Sequence, residues 1–261
     1  MSTDFSVPVT HITSRDNAFI KELRRLSQDS TAHRKQGRVW LEGDHLCRAA
    51  LVRGLKPQFA VFSESFWPLA PVECAQAAIK NIVISDALLP EISGLESPAR
   101  MGFVLDLPAP LDFLPNDATV ILDRVQDAGN VGSILRSACA FGFGQIIALK
   151  GTAALWSPKV LRAGMGAHFG LRLHEGVEAH AITALKVPIV VTSSHSGSFL
   201  HHQKIPMPCA WVMGHEGQGV CEALMAQASL SVRIDQPGGE ESLNVAAAAA
   251  ICLHASTLSQ R

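Results

Sequence analysis

The sequence predicts an α/β protein built in two parts. Short apolar runs rich in β-branched residues alternate with helical stretches along most of the chain. A proline-rich break at 108–117 divides the chain, and the alternation is cleaner after the break than before it. For the second part, strands separated by helices imply a mostly parallel sheet covered on both faces.

The elements follow in order. Asn17–Leu26 carries Phe19, Ile20, Leu23 and Leu26 at helical spacing, with Lys21, Arg24 and Arg25 between them. Val39–Leu41 is a short strand and Asp44–Arg53 a helix. Phe59–Phe62 and Asn81–Ile84 are strands around a helix at Ala70–Ala78, and Met101–Leu107 closes this part as an apolar strand. Pro108, Pro110 and Pro115 make 108–117 a stiff, non-helical linker. The domains expected are therefore 1–107, the linker 108–117, and 118–261. In the second part, strand Thr119–Leu122 precedes helix Asn130–Phe141, and strand Gln145–Leu149 follows. Helix Pro158–Ala163 comes next, then an extended stretch at Gly170–His174 and strands at Val187–Thr192 and Ala210–Met213. Helix Val220–Ala228, strand Leu230–Ile234 and a C-terminal helix complete the set.

Composition narrows the function classes. With 48% apolar residues in 261, a core can form and wholesale disorder is excluded. No apolar run reaches the roughly 18–20 residues of a membrane span. Met1–Thr10 lacks the basic and apolar blocks of a leader, so a cytoplasmic protein is expected. The six cysteines form no C-x-x-C pair and read as thiols in a reducing compartment. The net charge of −1 does not advertise a nucleic-acid binder, but its distribution does. Residues 11–56 hold ten Lys and Arg against five acids, a local basic surface able to meet a phosphate backbone or simply to solvate a helix face.

Several motifs bear on chemistry. Gly142-Phe143-Gly144 is not a dinucleotide fingerprint, because it follows a helix and precedes a strand; these glycines end a helix. Gly214-His215-Glu216-Gly217-Gln218-Gly219 is better placed, between a strand and a helix, where open parallel sheets bind ligands. Its glycines allow close main-chain approach. Glu216 disfavours a pyrophosphate and tolerates a ligand with a positive centre. Asn130 stands where it can cap its helix, and Arg136 lies off the apolar face of Val131, Ile134, Leu135 and Ala138. An arginine so placed is either solvated or presented to an anion such as phosphate. Ser242 and Asn244, behind Glu240 and Glu241, stand at the start of the alanine-rich C-terminal helix, as caps or as ligand contacts. His195, His201, His202 and His215 near Cys209 and Cys221 match no zinc spacing; they read as surface loop residues, and no metal is expected.

Together, three of these segments resemble the SpoU/TrmH family of RNA methyltransferases, of the SPOUT class. The first motif is Asn130-Val131-Gly132-Ser133-Ile134-Leu135-Arg136-Ser137-Ala138, and the second is Val212-Met213-Gly214-His215-Glu216-Gly217-Gln218-Gly219. The third is Ile234 followed by Glu241-Ser242-Leu243-Asn244-Val245-Ala246. The resemblance implies a C-terminal SPOUT domain with a trefoil knot, preceded by a small RNA-binding domain similar to ribosomal protein L30e. It implies S-adenosylmethionine as cofactor, held by Gly214, Glu216, Gly217, Ile234 and Leu243. It implies catalytic roles for Asn130, Arg136, Glu216, Ser242 and Asn244, an RNA substrate (rRNA or tRNA), and a homodimer through the C-terminal helix. The reaction implied is methyl transfer to a ribose 2′-hydroxyl, with a non-catalytic RNA-binding protein as the alternative. A guanidinium with a pKa of about 12.5 or more is a poor base, so Arg136 fits charge stabilisation or phosphate positioning better, with the base role left open. Two positions depart from the family: Asp235-Gln236-Pro237 follows Ile234 where Pro-Met is frequent, and Gly164 replaces a common serine.

Overall fold

The computed structural model describes residues 7–193, 197–238 and 242–258. Glu240, Glu241 and His195 lie outside them. The chain divides into two compact units, one of residues 1–109 and 156–169, the other of 110–155 and 170–261.

The first unit holds strands β1 (Val9–Ile12), β2 (Arg38–Glu42), β3 (Phe59–Ser63), β4 (Lys80–Ile84) and β5 (Met101–Asp106). They form a mixed sheet in the order β1-β4-β3-β5-β2, in which β5 runs antiparallel to both neighbours. Helices α1 (Ala18–Gln28), α2 (Ala32–Gln36), α3 (Asp44–Val52), α4 (Val72–Ala77) and α5 (Leu89–Ile92) complete the alternation read from sequence. Asn17 caps α1 by accepting from the Phe19 N–H, and Ile20, Leu23 and Leu26 bury its apolar stripe. One face of the sheet packs on α1 through Trp40, Val61 and Val104; the other meets α3 and α4 through Val39, Leu41 and Phe62. Helix α7 (Pro158–Gly164) belongs to this unit as well, with Leu161 buried in the second of these clusters. That corrects the sequence reading, which places all of 118–261 together. An isolated helix with one apolar face goes wherever that face is covered, and chain order does not reveal where.

In the second unit all seven strands are parallel. They are β6 (Thr119–Leu122), β7 (Gln145–Leu149), β8 (Arg172–Val177), β9 (Ile189–Thr192), β10 (Ser198–Phe199), β11 (Ala210–Met213) and β12 (Leu230–Arg233), in the order β10-β12-β9-β11-β6-β7-β8. Successive residues face opposite sides, so Ile121, Ile147, Val191 and Val212 share one core cluster with Leu224. Leu224 lies on the short helix α8 (Glu222–Met225), which replaces the longer helix expected at 220–228. On the other side, helices α6 (Ala128–Ala140) and α9 (Val245–Leu258) pack together, α9 also against β11. The Trp211 indole N–H donates to Ser256 Oγ over 2.8 Å inside this layer. Gly142, in the left-handed region at φ 80°, ends α6 while the Phe143 N–H returns to the Ala138 carbonyl.

The chain order within this sheet creates a crevice. After β6 the chain runs outward through β7 and β8, then returns to lay β9 on the far side; β11 fills the gap between β6 and β9. The direction of winding therefore reverses at β6 and β11. Ligands of open parallel sheets bind beyond the carboxyl ends of the strands at such a reversal.

Candidate functional site

The segments that leave β6 and β11 meet at that reversal. Past Met213 the chain turns tightly back on itself. His215 and Gly219 exchange two main-chain hydrogen bonds, at 3.1 and 2.9 Å, and His215 Nδ1 accepts from the N–H groups of Gly217 and Gln218. Gly214 is obligatory at the base of this turn. A Cβ there would lie 2.4 Å from the Gly219 carbonyl carbon and 2.5 Å from the Val220 nitrogen, both backbone. Gly217, at the tip, has no such neighbour; the nearest atoms to its virtual Cβ are 3.9 Å away on His215. His215 is thus a structural part of the loop, while His201 and His202 lie exposed on a short turn after β10.

Glu216 is the charged centre of the loop. Its carboxylate accepts from the main-chain N–H groups of Gln126 and Asp127, each at 3.4 Å, just ahead of α6. It also accepts from the Asn130 amide at 3.3 Å. Desolvation pushes its pKa up, but hydrogen bonds from its own N–H, Asn130, Gln126 and Asp127 outweigh that and hold it below the usual carboxylate range. Glu216 is therefore an anion at neutral pH.

Asn130 is not the cap of its helix, contrary to the sequence reading. Asp127 takes that place, accepting from the Asn130 N–H at 2.7 Å, and α6 begins at Ala128. The substitution of cap frees the Asn130 side chain. Its Nδ2 goes to Glu216 and its Oδ1 accepts from Asn244 Nδ2 at 2.9 Å. Asn244 in turn caps α9, its Oδ1 accepting from the N–H groups of Ala246 and Ala247 at 2.9 and 3.2 Å. One amide therefore caps a helix and continues a polar chain, Asn244–Asn130–Glu216, across three segments distant in sequence.

The other expected residues are placed as follows. Leu243 is 40% exposed just before the α9 cap, an apolar side chain offered to solvent. Ile234 is the first residue past β12 and is half-buried. Ser242 is exposed and makes no hydrogen bond among the described residues, so the capping role falls to Asn244 alone. Arg136 is exposed on α6 and has no hydrogen-bond or ion-pair partner among the described residues. It sits six residues past Asn130, about 9 Å along the helix, and the fold does not join it to the polar chain. Gly164, the departure in the first unit, has a local reason: a Cβ would press on the His168 ring at 2.5 Å.

Sequence reasoning missed Asp123 and Arg124. Asp123, only 1% exposed, follows β6 directly and accepts from the Cys221 N–H at 2.6 Å. Arg124 pairs with it and reaches the glycine loop. An aspartate set immediately after the short run Val120-Ile121-Leu122, four residues ahead of a helix cap, is the signal that points to it.

A two-unit α/β protein with a parallel sheet, a self-closing glycine loop and an anionic centre at the winding reversal defines a class: proteins that bind a small ligand on main chain at the sheet's carboxyl edge. The profile of the SpoU rRNA Methylase family matches residues 117–254. The chain belongs to that family of RNA methylases. It is 29% identical over 93% of its length to the Bacillus subtilis 23S rRNA (guanosine(2553)-2'-O)-methyltransferase RlmP, covering 97% of that protein. A crystal structure of an RNA 2'-O ribose methyltransferase superposes with a TM-score of 0.78 at 29% identity, covering 96% of this chain and 99% of that one. The AdoMet-bound rRNA methyltransferase from Sinorhizobium meliloti superposes at 0.81 with 27% identity, covering 95% and 97%.

Proposed function

We propose that the protein transfers a methyl group from S-adenosylmethionine to a ribose 2′-hydroxyl of structured RNA, rRNA being the first candidate. The observation that carries this is the Asn244–Asn130–Glu216 chain beside the Gly214–Gly219 loop, in a member of an RNA methylase family. The donor set suits the cofactor. Glu216 is an anion that matches a cationic ligand, Gly214 leaves main chain bare, and Leu243 offers an exposed apolar surface. In the loop after β12, Gln236 Oε1 is buried with no hydrogen-bond partner among the described residues, an acceptor left for a ligand. Gly214, Glu216, Gly217, Ile234 and Leu243 would hold the cofactor, which when bound supplies a methyl group on a positively charged sulfur.

The remaining work falls to the chain's own side chains. The 2′-hydroxyl must lose its proton, here to water, as its oxygen takes the methyl; that loss leaves negative charge on the oxygen, and an unpaired arginine is a group able to meet it. Arg136 is such a residue, exposed and uncommitted among the described residues. Its role is to hold the RNA phosphate and stabilise the oxygen; as a permanent cation it is not assigned as base. Asn130 and Asn244 fix Glu216 and the start of α9 relative to each other, and Ser242 lies two residues before Asn244.

The first unit, with the basic stretch 11–56, presents the RNA. The 108–117 segment links it to the methyltransferase part. The loops after β11 and β12 form a trefoil knot, supported by the late insertion of β11 between β6 and β9. Two copies pair through α9, whose outer face exposes Ile251 and Leu258. RNA as substrate and thiols without C-x-x-C pairing go with the cytoplasm. A binding-only role would leave the polar chain without a purpose.

The test is Arg136→Ala. Calorimetry with S-adenosylmethionine should return wild-type affinity, while methyl transfer to RNA falls by about a hundredfold or more, the cost of one oxyanion stabiliser. Transfer at the wild-type rate would refute the assignment.

A further inference from the structure

Arg124 is one of only two non-glycine residues among those described with a positive φ, at 60°. A left-handed backbone is unfavourable for an ordinary residue, and Gly or Asn would fill the position with less strain. Its N–H donates to Thr152 Oγ1 at 3.1 Å, and that hydroxyl donates to the Leu122 carbonyl at 2.9 Å, so the strained turn is locked at the end of β6.

The side chain explains why an arginine stands there. Its Nε and Nη2 meet the two oxygens of buried Asp123 at 2.8 and 3.3 Å. The same fork reaches Gln218 Oε1 from Nη1 at 2.7 Å and the Gly219 carbonyl from Nη2 at 3.4 Å. Asp123 meanwhile holds the Cys221 N–H, just past the loop. The loop Gly214–Gly219 is thus fastened from two sides. Glu216 ties it to the start of α6, and Arg124 ties its far limb to the end of β6. Nothing inside the loop except His215 gives it comparable rigidity.

We propose that Arg124 is a positioning residue for the cofactor, holding the Gly214–Gly219 loop in its binding shape with Asp123 as anchor. The proposal rests on the reading that this loop binds S-adenosylmethionine. A loop ordered before binding spares the ligand the ordering entropy, so affinity rises without any contact between Arg124 and the ligand.

Arg124→Gly tests it, since glycine removes the guanidinium and accepts the left-handed backbone. Calorimetry with S-adenosylmethionine should show Kd raised about tenfold, and amide hydrogen exchange should quicken across 215–221 while strands β6, β7 and β11 stay protected. Gln218→Ala, at an exposed position, should weaken binding in the same direction and add nothing in the Arg124→Gly background, where the Arg124–Gln218 contact it removes is already gone. Gln218→Ala also keeps the test open if Arg124→Gly does not fold. Wild-type Kd and exchange in both variants would overturn the proposal, as would fully additive effects. A wild-type chain that does not bind S-adenosylmethionine would sink the functional reading and the affinity claim with it; wild-type binding with unaltered variants sinks the role of Arg124 alone.

Discussion

Gly214→Ala is the smallest change that should disable the site. The new methyl would sit 2.4 Å from the Gly219 carbonyl carbon, 2.5 Å from the Val220 nitrogen and 2.8 Å from the Gly219 oxygen. Carbon atoms rest at roughly 3.5–4.0 Å, so the facing backbone must retreat by about 1 Å. It cannot do so and keep the two His215–Gly219 hydrogen bonds. Overpacking of this kind costs about 1–3 kcal/mol. Glu216 to Gly219 are exposed, so water takes over the broken hydrogen bonds and the loss stays local. For a protein of this size we expect Tm to fall by about 2–4 °C per kcal/mol. Function should suffer more, since a displacement of about 1 Å costs around a hundredfold in rate. The assay is paired with Gly217→Ala in the same loop. There a Cβ meets nothing closer than 3.9 Å, so stability should stay at the wild-type value. Any loss of S-adenosylmethionine affinity in Gly217→Ala then reports the ligand itself. A Gly214→Ala protein with wild-type Tm and wild-type Kd would refute the close-approach argument.

Three other outcomes are expected. Ser256→Ala leaves the indole N–H of fully buried Trp211 unpaired and should cost about 1–3 kcal/mol in denaturant unfolding; no change in midpoint would contradict it. Glu216 should titrate below the ordinary carboxylate range by carbon-13 NMR, and Asn130→Ala should raise its value by removing one donor. Because the folded value is depressed, the stability this group adds is present above its unfolded pKa and lost as pH falls through the folded one; acid destabilisation in the opposite sense would refute the sign. Of the six cysteines, Cys47, Cys74, Cys209 and Cys252 are buried, with Cys74 pushed up to about 11 and Cys209 and Cys252 to about 12 by desolvation. Native thiol titration should therefore count no more than two reactive groups, Cys139 and Cys221.

Much of the fold was legible because buried parallel strands leave plain marks. Thr119–Leu122, Gln145–Leu149 and Ala210–Met213 are buried along their whole length, so each is a short apolar run closed by turn residues. Strand β1 escaped notice because Ile12 alone among its residues is buried, and the two residues of β10 carry no period. Helix α8 is shorter than expected because Cys221 is extended, its N–H held by Asp123 from another segment. Local propensity cannot register such a tie. The same limit governed the site. Asn130, Glu216 and Asn244 could be named from their types and surroundings, but their mutual contacts join residues 86 and 114 positions apart. Asp127 took the cap from Asn130 because it lies three residues before an N–H that needs a partner, and only the released amide can link the other two. Arg124 carried no local signal, since its use depends on a loop that arrives far later in the chain.

The most direct test of the central claim is nucleoside mass spectrometry, with site mapping by primer extension, on rRNA and tRNA from cells with and without this protein. The account predicts that one 2′-O-methylated ribose disappears with the protein and returns with the wild-type chain but not with Arg136→Ala. An RNA 2′-O-methylation pattern unchanged by removal of the protein would contradict it.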